Sequence, residues 1–170
     1  RDYVIIASGE KDSIFLTRYA PKVYYTRKNA CLCKTELYGV FGKLKKEHPE
    51  QLERAAHFLM VPEYLNYRLT GKIVHEYTDS STTALLDAAK KDWDFDLIGK
   101  LAFPKRIFGK LEMPGATVGE YRGVPVVLPA LHDTGSAYLA VPARDDQAVY
   151  LSSGTWSLLG VEEKDSHTDE

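Results

Sequence analysis

Apolar and polar positions follow two different periods along this chain, and the changes of period mark the predicted elements. Short apolar runs at Val4–Ala7 and Phe58–Val61 are typical of buried strands. Apolar residues at three- and four-residue spacing predict two amphipathic helices. Their apolar positions are Leu37, Tyr38, Phe41 and Leu44 in the first helix and Leu52, Ala55 and Ala56 in the second, which begins at Pro49. Strands that alternate with helices in this way indicate an α/β fold.

Capping and breaking residues predict where the next elements begin and end. A helix over Glu63–Leu69 is expected to stop at Gly71, which can adopt the left-handed conformation of a helix cap. Asp92 is the predicted N-cap of a helix that runs to Leu101. The segment Pro104–Gly119 is rich in turn-forming residues and is predicted to be a loop.

A second apolar run, Val124–Leu131, leads into the polar tripeptide His132-Asp133-Thr134. This order predicts a buried strand, a sharp turn and the first turn of a helix. In open α/β sheets such turns, at the carboxyl ends of strands, carry the chemistry. A hairpin is predicted to follow at Tyr150–Ser157, with its turn at Ser152–Thr155.

Composition excludes several classes of protein. The chain has 170 residues, of which 44% are hydrophobic and 27% charged, as in ordinary globular domains. A net charge of −2 offers no basic surface for a nucleic acid or an anionic membrane, and no apolar stretch approaches the ~20 residues of a membrane span. Cys31 and Cys33 are too close for an unstrained disulfide and lack partners at zinc spacing. We therefore expect a cytoplasmic protein with reduced thiols and no metal-ligand set.

A change of composition after Pro142 predicts a domain boundary. Residues 143–147 are polar, and beyond them the chain enters the predicted hairpin and a charged tail. A domain that begins at a hairpin and stops one strand later cannot bury its own core, so we expect the chain to be a piece of a longer protein. The predicted units are 1–34, without assignment, 35–142, the later part of one domain, and 143–170, the start of a second.

Asp133 is the first candidate for catalysis. At a strand-to-helix turn its carboxylate would lie among free backbone N–H groups, stay ionised and accept a proton from an alcohol. Alternatively, Asp133 or Thr134 only caps the helix. His132 either binds a substrate hydroxyl or helps to orient Asp133, or else it is a partly buried imidazole that hydrogen-bonds the backbone. The residues alone leave both questions open.

The turn Ser152–Thr155 is a candidate phosphate site, because a glycine turn can present N–H groups and hydroxyls to an anion. It could equally be an ordinary hairpin connection. The sequence has no G-x-x-x-x-G-K-[ST] and no G-x-S-x-G, which argues against a P-loop enzyme and an α/β-hydrolase. In metal phosphohydrolases a His-Asp pair ligates the metal from helices, together with further His and Asp residues. Here the pair follows a predicted strand, and the other histidines are His48, His57, His75 and His167, so this class is not expected. The hydroxyl run Thr78–Thr83 is predicted to serve capping and turns.

Four stretches, taken in order, resemble the FGGY family of carbohydrate kinases: Tyr64–Gly71, Glu76–Asp87, His132–Ala137 and Ser152–Leu158. The resemblance extends from about residue 36 to residue 161. It implies the ribonuclease H-like fold of actin-like ATPases. This chain would hold the later part of the first domain and the opening hairpin of the second.

The resemblance also implies a reaction, in which the γ-phosphate of ATP passes to a ketose hydroxyl with the help of Mg²⁺. Asp133 corresponds to the catalytic base of the family, and His132, Asp133 and Thr134 to positions that contact the sugar. Gly154 and Thr155 correspond to positions beside the nucleotide phosphates. No residue is assigned as a metal ligand.

The acceptor that the resemblance implies is the 1-hydroxyl of L-rhamnulose. Within the family, His132 before Asp133 and Trp156 after Gly154-Thr155 favour the members with this acceptor. The alternatives are another FGGY sugar kinase, such as a xylulose kinase, or a non-catalytic binding or assembly module with the same fold. The family's opening strand pair, with its Asp-x-Gly phosphate loop, and the adenosine site of its second domain do not occur in the 170 residues. We therefore expect the polypeptide alone to be inactive and to self-associate through exposed apolar edges.

Overall fold

Short strands alternate with short helices in the computed structural model of the chain, which describes residues 3–7, 24–25, 45–145, 147–154 and 157–164. The strands are β1 (Tyr3–Ala7), β2 (Tyr24–Tyr25), β3 (Ala55–Met60), β4 (His75–Glu76), β5 (Leu86–Asp87), β6 (Asp92–Trp93), β7 (Leu111–Glu112), β8 (Thr117–Tyr121), β9 (Val124–Val127), β10 (Val149–Ser153) and β11 (Ser157–Val161). The helices are α1 (Pro49–Arg54), α2 (Val61–Thr70), α3 (Tyr77–Ser81), α4 (Phe95–Lys100) and α5 (Asp133–Leu139), with a 3₁₀ turn at Lys105–Ile107. The α/β prediction is confirmed.

A parallel three-stranded sheet in the order β2–β1–β3 forms one side of the fold. The strand predicted at Phe58 in fact begins at Ala55, which pairs with Tyr3 of β1 and is 1% exposed. The prediction of Ala55 and Ala56 as helical was therefore wrong. Pairing with β1 and burial outweigh the small intrinsic preference of alanine for helix.

Helix α2 follows β3 without a connecting loop. Glu63, its third residue, accepts a hydrogen bond from the Met60 backbone N–H through Oε2 at 2.7 Å, which caps the helix start. The helix ends at Gly71, whose φ of +71° is left-handed, and the Gly71 N–H donates to the Tyr67 carbonyl at 2.7 Å. The predicted helix and its glycine cap are confirmed.

The helix predicted from Asp92 begins later. Asp94 is the N-cap of α4 and accepts from the Leu97 N–H at 2.8 Å, whereas Asp92 and Trp93 form β6 against β5. Trp93 is 3% exposed, and its Nε1–H donates to the Gly109 carbonyl at 2.8 Å. The prediction failed because Trp93 is held in β6 by pairing with β5 and by its hydrogen bond to Gly109, 16 residues later in the sequence.

The segment predicted as a loop contains regular structure. It holds the 3₁₀ turn, β7 and the start of β8, and β7 pairs in parallel with β4. Around it lies the main core, formed by apolar side chains from α1, β3, β6, α4 and the 3₁₀ turn. Its buried members are Leu52, Ala55, Phe58, Met60, Leu85, Trp93, Ile98, Phe103, Ile107 and Phe108. Two of its members, Phe58 and Trp93, contact the ring of His75 in β4, the strand that leads to the candidate site.

The run that precedes His132 is not one buried strand. Its first half is β9, which pairs antiparallel with β8 and leaves Val124 64% and Val127 51% exposed. Only Leu128 and Ala130 are buried beyond it. Pro125 and Pro129 lack the N–H that a central strand needs, and proline in a sheet is confined to edges. The strand before Asp133 therefore belongs to a two-stranded hairpin and not to the parallel sheet.

The last two predicted elements are confirmed. Helix α5 begins at Asp133, and β10 and β11 pair antiparallel with Leu151 opposite Leu159. The predicted helix over Leu37–Leu44 and the two cysteines lie outside the described residues. Among the helices of the described part, none has the length and apolar character of a membrane span.

Candidate active site

The carboxylate of Asp133 projects from the first turn of α5 and is 99% exposed. Its Oδ1 accepts from the N–H and the hydroxyl of the neighbouring Thr134, at 2.6 and 3.3 Å. The N-cap of the helix is His132, whose Nδ1 accepts the Gly135 N–H at 3.3 Å. The interpretation of Asp133 as a helix cap was therefore wrong, because the imidazole one residue earlier takes that place. The Asp133 side chain is left exposed to solvent.

His132 is the partly buried imidazole of the alternative interpretation, with 33% of its side chain exposed. Because Nδ1 accepts a hydrogen bond from Gly135, the neutral ring carries its proton on Nε2. The Nδ1 atom lies 3.8 Å from Oδ1 of Asp133, which is beyond hydrogen-bond distance. His132 thus shapes the turn and does not orient the Asp133 carboxylate through a direct hydrogen bond.

Helix α3 lies beside this turn. Glu76 precedes the helix and caps it by accepting from the N–H groups of Thr78 and Asp79, at 2.8 and 3.0 Å. A Cβ placed on Gly135 would lie 3.9 Å from the Thr78 Cβ, so the first turn of α5 packs on Thr78. The hydroxyls of this segment are predicted from the sequence to serve capping and turns, and no sequence pattern points to Glu76.

A buried polar pair joins α2 to β4, the strand that leads directly into α3. Oε2 of Glu63 lies 3.0 Å from Nδ1 of His75, and both side chains are fully buried. Oε1 of the same carboxylate accepts from the Glu76 N–H at 3.0 Å. The His75 ring meets Trp93 edge-on, with centroids 5.2 Å apart. Both oxygens of Glu63 and Nδ1 of His75 are thus hydrogen-bonded, whereas Nε2 of His75 has no hydrogen-bond partner among the described residues. The bonds of the Glu63 carboxylate tie β4 to α2 directly before α3.

Asp79 places a further carboxyl group near this site. It is 8% exposed, and its Oδ2 has no hydrogen-bond partner among the described residues. Burial, followed by the negative charges of Glu63, Glu76 and Asp133, raises the pKa of Asp79 from 3.8 to about 7. The charge of Asp133 is therefore one of those that oppose the ionisation of Asp79.

The predicted phosphate turn lies at the tip of the β10–β11 hairpin. A Cβ on Gly154 would have no neighbouring atom within 4 Å, so the backbone there is open to a ligand. Ser153 and Ser157 flank the turn with their hydroxyl oxygens 3.2 Å apart. Thr155, predicted to contact the nucleotide phosphates, lies outside the described residues, and so does Trp156.

Tyr138 joins this hairpin to the helix of Asp133. Its hydroxyl donates to the Leu158 carbonyl at 2.7 Å, and its ring stacks on Tyr150 with centroids 5.3 Å apart. The candidate base and the candidate phosphate turn thus lie on two elements that pack directly against each other. No cluster of three or more His, Cys, Asp or Glu side chains able to hold a metal ion occurs in the described part of the chain.

Comparison with known sequences shows which proteins this chain resembles. The sequence profile of the FGGY family of carbohydrate kinases, N-terminal domain, matches residues 21–137. The rhamnulokinase of Oceanobacillus iheyensis is 48% identical over 128 residues, which are 70% of this chain and 27% of that protein. The rhamnulokinase of Halalkalibacterium halodurans is 45% identical over 135 residues, or 74% of this chain and 28% of that protein.

A third relative, the rhamnulokinase of Yersinia pestis, is 48% identical over 124 residues, or 70% of this chain and 26% of that protein. The chain therefore spans about a quarter of the length of these curated relatives. Among solved structures, the ligand-bound xylulose kinase from Lactobacillus acidophilus has a TM-score of 0.51 at 23% identity, and the match covers 55% of this chain and 21% of that one. This match confirms the predicted actin-like fold. The family profile covers more than half of the chain, and the chain belongs to the FGGY family of carbohydrate kinases.

Proposed function

We propose that the protein carrying this chain transfers the γ-phosphate of ATP to a ketose hydroxyl, with the 1-hydroxyl of L-rhamnulose as acceptor. The observation that carries the proposal is the open carboxylate of Asp133, which follows a histidine cap and lies on a helix packed against a glycine turn. Family membership and the 45–48% identity to proteins named rhamnulokinase support the acceptor. Because the chain spans about a quarter of those relatives, the activity is proposed for the intact protein.

In the proposed reaction Asp133 accepts the proton of the sugar hydroxyl as its oxygen attacks the γ-phosphorus. The new P–O bond forms while the bond to the β-phosphate oxygen breaks, so that ADP leaves and the proton on Asp133 passes to water. Phosphoryl transfer asks of a protein mainly positioning, charge stabilisation and one group to receive this proton. An exposed carboxylate at the start of a helix suits the last task.

The neighbours of Asp133 would bind the sugar. Nε2–H of His132 can donate to a hydroxyl oxygen, because Nδ1 is already occupied by the Gly135 N–H. The Thr134 hydroxyl can donate to or accept from a second hydroxyl of the sugar. These two contacts would hold the attacking hydroxyl against the Asp133 carboxylate.

The nucleotide would meet the tip of the hairpin, with Gly154 and Thr155 beside its phosphates. Mg²⁺ neutralises charge on the β- and γ-phosphate oxygens when it is bound, and it commonly arrives with the nucleotide. The described side chains offer no cluster of three metal ligands, and the roles proposed for Asp133, His132 and Thr134 involve no protein-bound ion. We also propose a cytoplasmic location, because ATP is available in the cytoplasm.

The substitution Asp133→Asn in the intact protein tests the role of the base. General-base catalysis contributes roughly 10²- to 10⁴-fold, so kcat for L-rhamnulose should fall by that factor while KM for ATP changes little. Asp96→Asn is the matched control, because Asp96 is exposed on α4 outside the candidate site. ADP release measured with a coupled assay gives the rates. An Asp133→Asn variant with the kcat of the unaltered protein would refute the proposal.

A panel of ketoses separates this proposal from its two alternatives. If kcat/KM is highest for D-xylulose, the acceptor is that of another FGGY kinase and not L-rhamnulose. ADP release with none of the ketoses would instead favour a non-catalytic module that keeps the fold.

A further inference from the structure

The turn that carries Asp133 is held through its backbone by residues more than fifty positions earlier in the chain. The Leu131 N–H donates to Oε2 of Glu76 at 3.0 Å, across 55 positions. The His132 N–H donates to Oγ1 of Thr78 at 3.2 Å, across 54 positions. These are the last two backbone N–H groups before Asp133, so both bonds act on the segment that aims its side chain.

Glu76 gathers four hydrogen bonds on a fully buried carboxylate. The donors are the Leu131 N–H, the Asp79 N–H, the Thr78 N–H at 2.8 Å and the Thr78 hydroxyl at 2.5 Å. Short bonds from several donors compensate a charge taken out of water. Removal of any one donor would leave part of that buried charge unpaired.

The direction of the hydrogen bonds through Thr78 is fixed. A carboxylate only accepts, so the Thr78 hydroxyl donates its proton to Glu76. Its lone pairs then remain for the His132 N–H, which only donates. Glu76, Thr78 and His132 thus form a hydrogen-bonded series in which the donor and the acceptor of each bond are fixed.

Glu76, the first residue of this hydrogen-bonded series, is itself held by its backbone. The Glu76 N–H donates to the buried carboxylate of Glu63 at 3.0 Å, and Glu63 pairs with the buried His75. On the upper side, the Thr78 Cβ packs beneath Gly135 in the first turn of α5. A rigid path of contacts therefore runs from β4 to the residue before Asp133.

We propose that Glu76 and Thr78 are positioning residues that aim the Asp133 carboxylate at the acceptor hydroxyl. The inference rests on the proposed function, since it concerns the same base. Neither residue touches the substrate in this account, and both act by fixing the backbone of the turn. A displacement of ~1 Å caused by a remote substitution can cost on the order of 100-fold in rate.

The substitution Thr78→Val in the intact kinase is the central test, because it removes the hydroxyl and keeps the shape of the side chain. We expect kcat to fall roughly ten- to a hundredfold, with KM for MgATP unchanged because the nucleotide turn lies on another element. Thr78→Ser keeps the hydroxyl and should restore kcat. Thr82→Val is the matched control, since the Thr82 hydroxyl donates only within its own turn, to the Asp79 carbonyl at 2.7 Å.

All rates are taken per folded molecule, with the folded fraction measured by circular dichroism at the assay temperature. A Thr78→Val variant that melts earlier but keeps kcat would overturn the proposal, because the tether would then only stabilise the fold. An equal fall of kcat in Thr82→Val would overturn it as well. Should Thr78→Val not fold, Thr78→Ala is measured in its place with the same expectation.

The Asp133→Asn variant separates this inference from the proposed function. Loss of activity in Asp133→Asn together with unchanged kcat in Thr78→Val would remove the positioning role and leave the base in place. Full activity in Asp133→Asn would remove the base itself, and with it the reason for a tether.

Discussion

Asp79 is a buried carboxyl group one residue beyond the threonine that contacts the turn of Asp133. Its pKa is raised from 3.8 to about 7, first by burial and then by the charges of Glu63, Glu76 and Asp133. Its Oδ2 has no partner among the described residues, so no hydrogen bond at that atom stabilises the ionised form. With its pKa raised to about 7, Asp79 is mostly protonated in the folded protein at mildly acidic pH, where an ordinary aspartate is ionised.

This preference predicts how the stability of the fold depends on pH. Because the pKa of Asp79 is higher in the folded than in the unfolded chain, its contribution to stability is complete below about pH 4 and is lost as the pH rises through about 7. The substitution Asp79→Asn removes this titration. One pKa unit corresponds to about 1.4 kcal/mol, so the effect is on the order of a few kcal/mol.

Urea unfolding of both proteins between about pH 4 and about pH 8 measures this difference. The free energy of unfolding of the original protein, minus that of Asp79→Asn, should decrease with pH and level off above about pH 7. Groups that titrate in both proteins cancel in the difference. Two parallel curves would contradict the prediction.

At the scale of elements, the contact between α5 and the β10–β11 hairpin depends on a small residue. A Cβ on Gly160 would lie 2.8 Å from Cε2 of Tyr138, closer than carbon atoms can approach. The Tyr138 side chain is also held by the stack of its ring on Tyr150 and by the hydrogen bond from its hydroxyl to the Leu158 carbonyl. Glycine at position 160 thus allows the helix of Asp133 to dock on the hairpin of the predicted phosphate turn.

The substitution Gly160→Ala should therefore destabilise the protein, by about 1–3 kcal/mol as overpacked sites do. Gly154→Ala is the matched control for stability, since a Cβ there would meet nothing within 4 Å, and its effect should stay within about 0.5 kcal/mol. Urea unfolding of the two variants gives the comparison. Equal stability of both variants would show that the contact with Tyr138 yields without cost.

At the scale of the whole molecule, one face of the β10–β11 hairpin is apolar and open. Val149 lies opposite Val161 and Leu151 opposite Leu159, which places all four side chains on one face. They are between 59% and 73% exposed. Tyr150, on the other face, is buried against α5. A contiguous apolar surface of this kind favours association.

We predict that the 170-residue chain self-associates through this face. Light scattering of the chain alone should give an apparent mass that rises with concentration above that of the monomer. The double substitution Leu151→Lys and Leu159→Lys should lower the apparent mass, because it places charge on the face. Thr117→Lys with Gln147→Lys adds the same charge at exposed polar positions and should not. A monomer at every concentration would contradict the prediction.

The local elements near the candidate site could be predicted from sequence alone. The stop of α2 at Gly71 follows from the backbone freedom of glycine, and the β10–β11 hairpin follows from a hydroxyl- and glycine-rich turn between two apolar runs. The start of α5 at Asp133 follows from a polar turn after an apolar run. Four short motifs in order also indicated the family. These features depend on neighbours within a few residues, which a sequence displays directly.

Only the tertiary structure decided how these elements meet. The register of β3 with β1 took Ala55 and Ala56 out of the predicted helix, and the prolines of the run before His132 left β9 in an exposed hairpin. Glu76 reaches the turn of Asp133 across 55 positions. The sequence determined where α2 stops and where the last hairpin turns, because the preferences of glycine and of turn residues are local. The placement of the candidate base was decided by hydrogen bonds and packing between distant segments, which exist only once the chain has folded.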